Sequence, residues 1–153
     1  MSGSWDKLTP EGKRLRQEIK KLVSQKVFVG FQAGQNAEDD GTDIAAIAAW
    51  NEFGTESIPA RPFLRMSVDE NEKKIRTMCT RQAKKLYSGN SAESVLKETG
   101  AFGVSLVQEK IRNGSFTPNA ASTIKAKGSA HPLIDSGRMR QSVHYVVKKK
   151  GED

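Results

Sequence analysis

A chain of 153 residues with 25 lysines and arginines against 18 aspartates and glutamates carries a formal charge of +7, and its pI lies near 9.6. That length suits one domain with one core, and 36% hydrophobic with 28% charged residues excludes the composition of a disordered chain while leaving a heavily charged surface. One cysteine excludes an internal disulfide, two histidines exclude a Cys/His set for structural zinc, and no apolar run approaches the roughly 18–20 residues of a membrane span.

Taken in chain order, the first element is a helix. Thr9-Pro10-Glu11 reads as an N-cap, a proline at the first helical position and an acidic first turn, opening a helix to about Ser24. Leu15, Ile19, Leu22 and Val23 form its apolar stripe, and Lys13, Arg14, Arg16, Lys20 and Lys21 make its other faces cationic. Lys26 to Gly34, KVFVGFQAG, is rich in β-branched and aromatic residues and predicts a strand. The following AEDDGTD segment does not match the twelve-residue calcium loop, and its acids suit the N-terminus of the next helix. Thr42 or Asp43 caps that helix, IAAIAAWNEF, in which Ile44, Ile47, Ala48 and either Trp50 or Phe53 are expected to face a core, with Gly54 as its stop.

In TESIPARPFLR, Pro59 and Pro62 forbid regular helix and push Ile58 and Arg61 toward extended geometry, which predicts a stiff connector. Apolar residues at helical intervals then predict one long amphipathic helix from Leu64 to Tyr87, with Cys79 as a small buried thiol. A further helix over Ala92 to Asn113 carries Val95, Leu96, Phe102, Leu106 and Ile111, and its Gly100 and Gly103 either weaken it or allow close packing. Residues 114 to 132 form a long loop in which Phe116 and Ile124 are the only large apolar groups, so it is expected to be mobile, with Phe116, Lys125 and Lys127 as candidate contacts. PLIDSGRMRQS reads as a single turn capped by Asp135 or Ser136, Val143 to Val147 as a strand, and KKKGED as a solvated tail. The expected fold is α+β: a small antiparallel sheet flanked by amphipathic helices with a long mobile loop, in a single domain over 1–153 with its ordered core over about 9–147.

No Walker loop, dinucleotide fingerprint, HExxH or GxSxG motif is present, and no cofactor is expected. Asp135, Ser142 and His144 are triad residue types, but their crowding within ten residues reads as coincidence. The acidic residues lie in one loop or interleave with lysine along helices, which does not suit a metal nuclease. A non-enzymatic role is therefore expected. The positive field suits polyanions, so a non-specific nucleic-acid-binding protein is the alternative from a different class.

Two stretches are more specific. WNEFGTESIPARPFLR contributes Trp50, Asn51, Glu52, Phe53, Gly54, Pro59, Arg61, Pro62, Phe63 and Leu64; HPLIDSGRMRQSV contributes Pro132, Leu133, Asp135, Ser136, Gly137 and Arg138. Together and in this order they resemble the paired signatures of the neck and tail-completion proteins of tailed bacteriophages, the minor-tail, head-tail-joining type, over roughly residues 26–147. The resemblance implies a structural virion protein of the phage neck that completes the tail or joins it to the head, with tail terminator and head closure as alternative roles. It also implies a homo-oligomeric ring, hexameric by tail symmetry, with other neck and tail proteins as partners. Assembly in the host cytoplasm, contact with DNA in the lumen and no membrane are implied as well. The motif residues are then candidate assembly contacts, Arg61 aiming its planar fork at a carboxylate or at carbonyl groups.

Overall fold

The computed structural model describes residues 7–120, 123, 125, 133 and 137–152. Among them, six helices and a two-stranded antiparallel sheet follow the order α1 (Pro10–Val23), β1 (Gln25–Gly30), α2 (Ile44–Phe53), α3 (Phe63–Asp69), α4 (Glu72–Tyr87), α5 (Ala92–Asn113), α6 (Arg138–Ser142), β2 (His144–Lys149). The fold is α+β, as expected, and the sheet joins the two ends of the described chain, with Val27 opposite Val147 and Val29 opposite Tyr145.

N-cap side chains explain three of the six described helix starts. Thr9 accepts from the Gly12 amide, Asp43 from Ala45 and Ser91 from Ser94, each a short side-chain oxygen satisfying a first-turn N–H. At α5 a second acceptor comes from a distant element: the Glu18 carboxylate of α1 receives the Ala92 amide at 2.7 Å. This turns Glu18 inward between Leu15 and Leu22, which pack on the cluster of Leu86, Ala92 and Val95. Ile19 and Val23, expected on the buried stripe, stand exposed instead, because one helix face holds 15, 18 and 22.

The expected long helix over 64–87 is two helices. Between them the Asn71 side chain donates to the Ser67 carbonyl at 2.9 Å, and the Asn71 amide closes a short turn onto Val68, so local side-chain bonding competes with the helical ladder inside the polar DENE run. Beyond the break, α4 buries Met78, Gln82 and Leu86, and Cys79 is exposed, correcting the expected buried thiol. The strand expected over Lys26–Gly34 ends at Gly30. β2, by contrast, runs on through Lys148 and Lys149, which the sequence assigned to a tail.

The main core collects Ile44 and Ala48 of α2, Phe63 of α3, Val107 and Ile111 of α5, Leu133, Met139 of α6 and Val143. Phe31 meets Phe63 edge-to-face at 6.0 Å between ring centroids. Helix α5 crosses the inner face of the sheet, and its Gly100 and Gly103 permit the approach: a β-carbon at Gly103 would lie 2.8 Å from Val29 Cγ2. Of the alternatives in the sequence, close packing is the one realised.

Candidate assembly site

The first motif folds into a self-contained corner. Asn51 and Glu52, near the end of α2, both point back toward the chain that follows. The Asn51 carbonyl accepts the Arg61 amide at 2.6 Å, while the Glu52 carboxylate receives the amides of Leu64 at 2.8 Å and Arg65 at 3.2 Å. Glu52 thereby caps α3 from another helix, where its charge also complements the helix dipole. Pro62, at φ −75° and ψ 62°, forms an inverse γ-turn closed by the Phe63 amide on the Arg61 carbonyl at 2.7 Å, which drives Phe63 into the core. Gly54, at φ 76°, needs both its conformation and its missing side chain, since a β-carbon there would stand 2.9 Å from the Ala60 nitrogen.

Arg61 sits at the centre of this corner, 5% exposed. Its guanidinium donates to the Thr117 carbonyl at 2.8 Å, Asn51 Oδ1 at 3.2 Å, the Pro118 carbonyl at 3.4 Å and Asn119 Oδ1 at 3.1 Å. All four acceptors are neutral oxygens, so of the two targets expected for its fork it meets carbonyls and amides. Burial alone holds its pKa below the ordinary arginine value. The clamp fixes residues 117–119, and Phe116 just before them packs against the core, with Lys110 over its ring.

From the second motif, Leu133 is buried in the main core and Gly137 takes the N-cap position of α6 in the left-handed region. Arg138 reaches across to the acidic loop, donating to the Ala37 carbonyl at 3.2 Å and pairing with Asp39 and, at 3.8 Å, Glu38. Pro132, Asp135, Ser136 and Lys127 lie outside the described residues, and with them the expected Asp135 or Ser136 cap. Lys125 is exposed. His144 Nδ1 lies 3.1 Å from the Ser142 carbonyl and not at its hydroxyl.

The two motifs therefore meet: Phe63 of the first and Leu133, Met139 and Val143 of the second share one core. Most motif side chains are consumed in holding this corner. Among the described motif residues Trp50, Phe53 and Pro59 are exposed, and the two aromatics, at 43% and 81%, do not face a core as the sequence suggested. On a ten-residue helix the buried positions are Ile44 and Ala48, which leaves Phe53 past the end of that face.

A shallow apolar groove of about 500 Å³ opens on the sheet's outer face, beside Phe28, Phe31 and Leu64. A signal for it stands in the sequence: Val27, Phe28 and Val29 are apolar in succession, so both faces of β1 carry apolar side chains. Among the described residues, no group of three or more His, Cys, Asp or Glu side chains lies together, and no helix is long and apolar enough to cross a membrane. Comparison with protein-family models, with curated proteins and with solved structures gives no match.

Proposed function

We propose that this protein is a structural component of the neck of a tailed-bacteriophage virion, completing the tail or joining it to the head, in the same neck context as a terminator or closure protein. The observation that supports this most is the convergence of the two motifs on one core, with the Trp50 and Phe53 side chains left in solvent beside it. Exposed aromatics on a rigid corner are typical anchors of protein interfaces. In this reading the corner presents them to neighbouring neck subunits in a ring. Negative-stain microscopy of particles lacking the protein tests the role: separated heads and tails, or tails with an aberrant upper end, are expected. Normal infectious particles would overturn it.

A second reading, non-specific binding of nucleic acid, is favoured by one feature. A groove between α4 and α5 carries Lys73, Lys74 and Arg81 around Met78 and Phe102, so that three cations against the one carboxylate of Glu70 rim an apolar floor. Retention of DNA that falls steeply with salt, and that Lys74→Glu with Arg81→Glu abolishes, is the result this reading requires.

A further inference from the structure

The sheet's hydrogen-bond parity identifies which backbone groups it leaves over. The Lys150 amide donates to the Ser24 carbonyl at 2.9 Å, and these two residues continue the strand register. In an antiparallel ladder hydrogen-bonded and non-bonded pairs alternate, so the even-numbered pairs Lys26/Lys148, Phe28/Val146 and Gly30/His144 are bonded to each other. The odd-numbered pairs are not, and their N–H and C=O groups point outward. The Lys149 amide fits this phase, since it turns away from β1 to donate to Glu152 at 3.1 Å. On the outer edge of β1, the backbone groups of Val27 and Val29 are thus directed away from the sheet, and among the described residues no further strand pairs there.

The groove on the outer face runs along that same edge. β2 contributes only alternate residues to its lining, His144, Val146 and Lys148, as a strand does when it shows one face. β1 contributes the consecutive residues 28–30, with 31 and 32 following beyond the strand's end, and among them is Val29, whose side chain lies on the opposite face against α5. A strand lines a cavity with consecutive residues where the cavity reaches its edge. Leu64 is the α3 residue in the lining.

We propose that the outer edge of β1 is a docking site for an extended segment of a partner protein, which adds as a third strand and carries apolar and acidic residues together on the one face turned to the groove. Main-chain bonds to Val27 and Val29 would hold it, as in other cases of strand addition. Its apolar side chains would lie over Phe28 and Phe31. The acidic requirement follows from charge: no carboxylate lines the groove, Lys148 stands in it with Lys26 directly opposite in register, and Lys149 and Lys150 continue the cationic run. A second copy of this chain fits less well, since pairing β1 to β1 would set Lys26 rows beside each other between two chains of charge +7. A two-stranded sheet covered on one face is itself marginal, and a third strand would reinforce it. The inference rests on this edge geometry and stands apart from the neck reading.

The test uses the full chain and two synthetic peptides of about eight residues, with threonine at every second position and the positions between shared by valine and aspartate in one peptide and by valine and lysine in the other. With the aspartate peptide, amide exchange at Val27 and Val29 should slow at least about tenfold, while Tyr145 and Val147 on the other edge stay unchanged. Val27→Pro removes an N–H that the sheet does not use, so it should abolish binding in a folded chain. Lys148→Glu, at an exposed side chain, should weaken the aspartate peptide and favour the lysine one, which keeps the test open if the proline variant does not fold. The proposal fails if the lysine peptide binds equally well, if binding leaves Val27 and Val29 unprotected or survives Val27→Pro, or if single-stranded DNA protects the same amides. It fails equally if these amides are already protected in the peptide-free chain, by its own residues or by self-association.

Discussion

A β-carbon placed on Gly100 would lie 2.9 Å from Cε2 of Tyr145 and nearer still to Cγ and Cδ2 of the same ring. The tyrosine of β2 thus occupies the volume that any other residue in this turn of α5 would fill, and the helix lies on the sheet at backbone distance.

Gly100→Ala is expected to destabilise the protein by about 1–3 kcal/mol, the range of overpacking in a filled core, although alanine is by about 1 kcal/mol the better helix former. In a Tyr145→Ala background the sign should reverse toward that propensity gain. Urea unfolding of the four chains of this cycle measures the coupling; a Gly100→Ala cost unchanged by the loss of the ring would show that the clash is relieved elsewhere.

Arg61→Ala should cost about 2–4 kcal/mol, because it empties the buried place of the guanidinium, leaves partly buried carbonyl and amide oxygens without their donor and releases residues 117–119. Arg61→Lys should not rescue it, since a point charge cannot reach four acceptors set around a planar fork. Lys20→Ala, on an exposed face of α1, should stay within about 0.5 kcal/mol. Denaturant midpoints order the three variants, and in the neck reading complementation of particle assembly should follow the same order.

Gly54→Ala combines a left-handed backbone with an approach of 2.9 Å to the Ala60 nitrogen, and backbone atoms cannot step aside as a side chain can. A loss of about 1–3 kcal/mol is expected from the conformation alone. Thermal unfolding should show a larger drop than for Gly34→Ala, where φ is also positive but no atom stands within 4 Å of the added carbon.

Glu18 links α1 to α5 and should shape the acid limb of stability. Its pKa is held below the ordinary glutamate range first by the Ala92 amide and then by Lys21. A carboxyl with a folded-state pKa below its unfolded one contributes stability that is fully present above the unfolded value and is lost as pH falls through the folded value. Glu18→Gln should therefore lower the urea midpoint at pH 7, and the gap to the parent chain should close as pH falls from roughly 4.3 into the range below it. A gap that persists unchanged at pH 2 would assign the loss to packing.

What the sequence determined by itself was local. The cap at Thr9, a cap at Thr42 or Asp43 and the stop at Gly54 could be read because a helix end is satisfied by residues within a few positions of it. The existence of both strands and the limits of α5 followed from the same short-range chemistry. Tertiary structure decided everything that depends on a partner far along the chain. The inward turn of Glu18 needs Ala92, the burial of Arg61 needs residues 117–119, and the choice between weakening and close packing at Gly100 needs Tyr145. The exposure of Trp50, Phe53 and Cys79 belongs here too, since periodicity finds an apolar face but not which edge of it the neighbouring helices cover. The edge of β1, where no further strand pairs among the described residues, is the clearest case: a strand's pattern is set by its own residues, whereas the number of strands beside it is set by what the rest of the fold brings there.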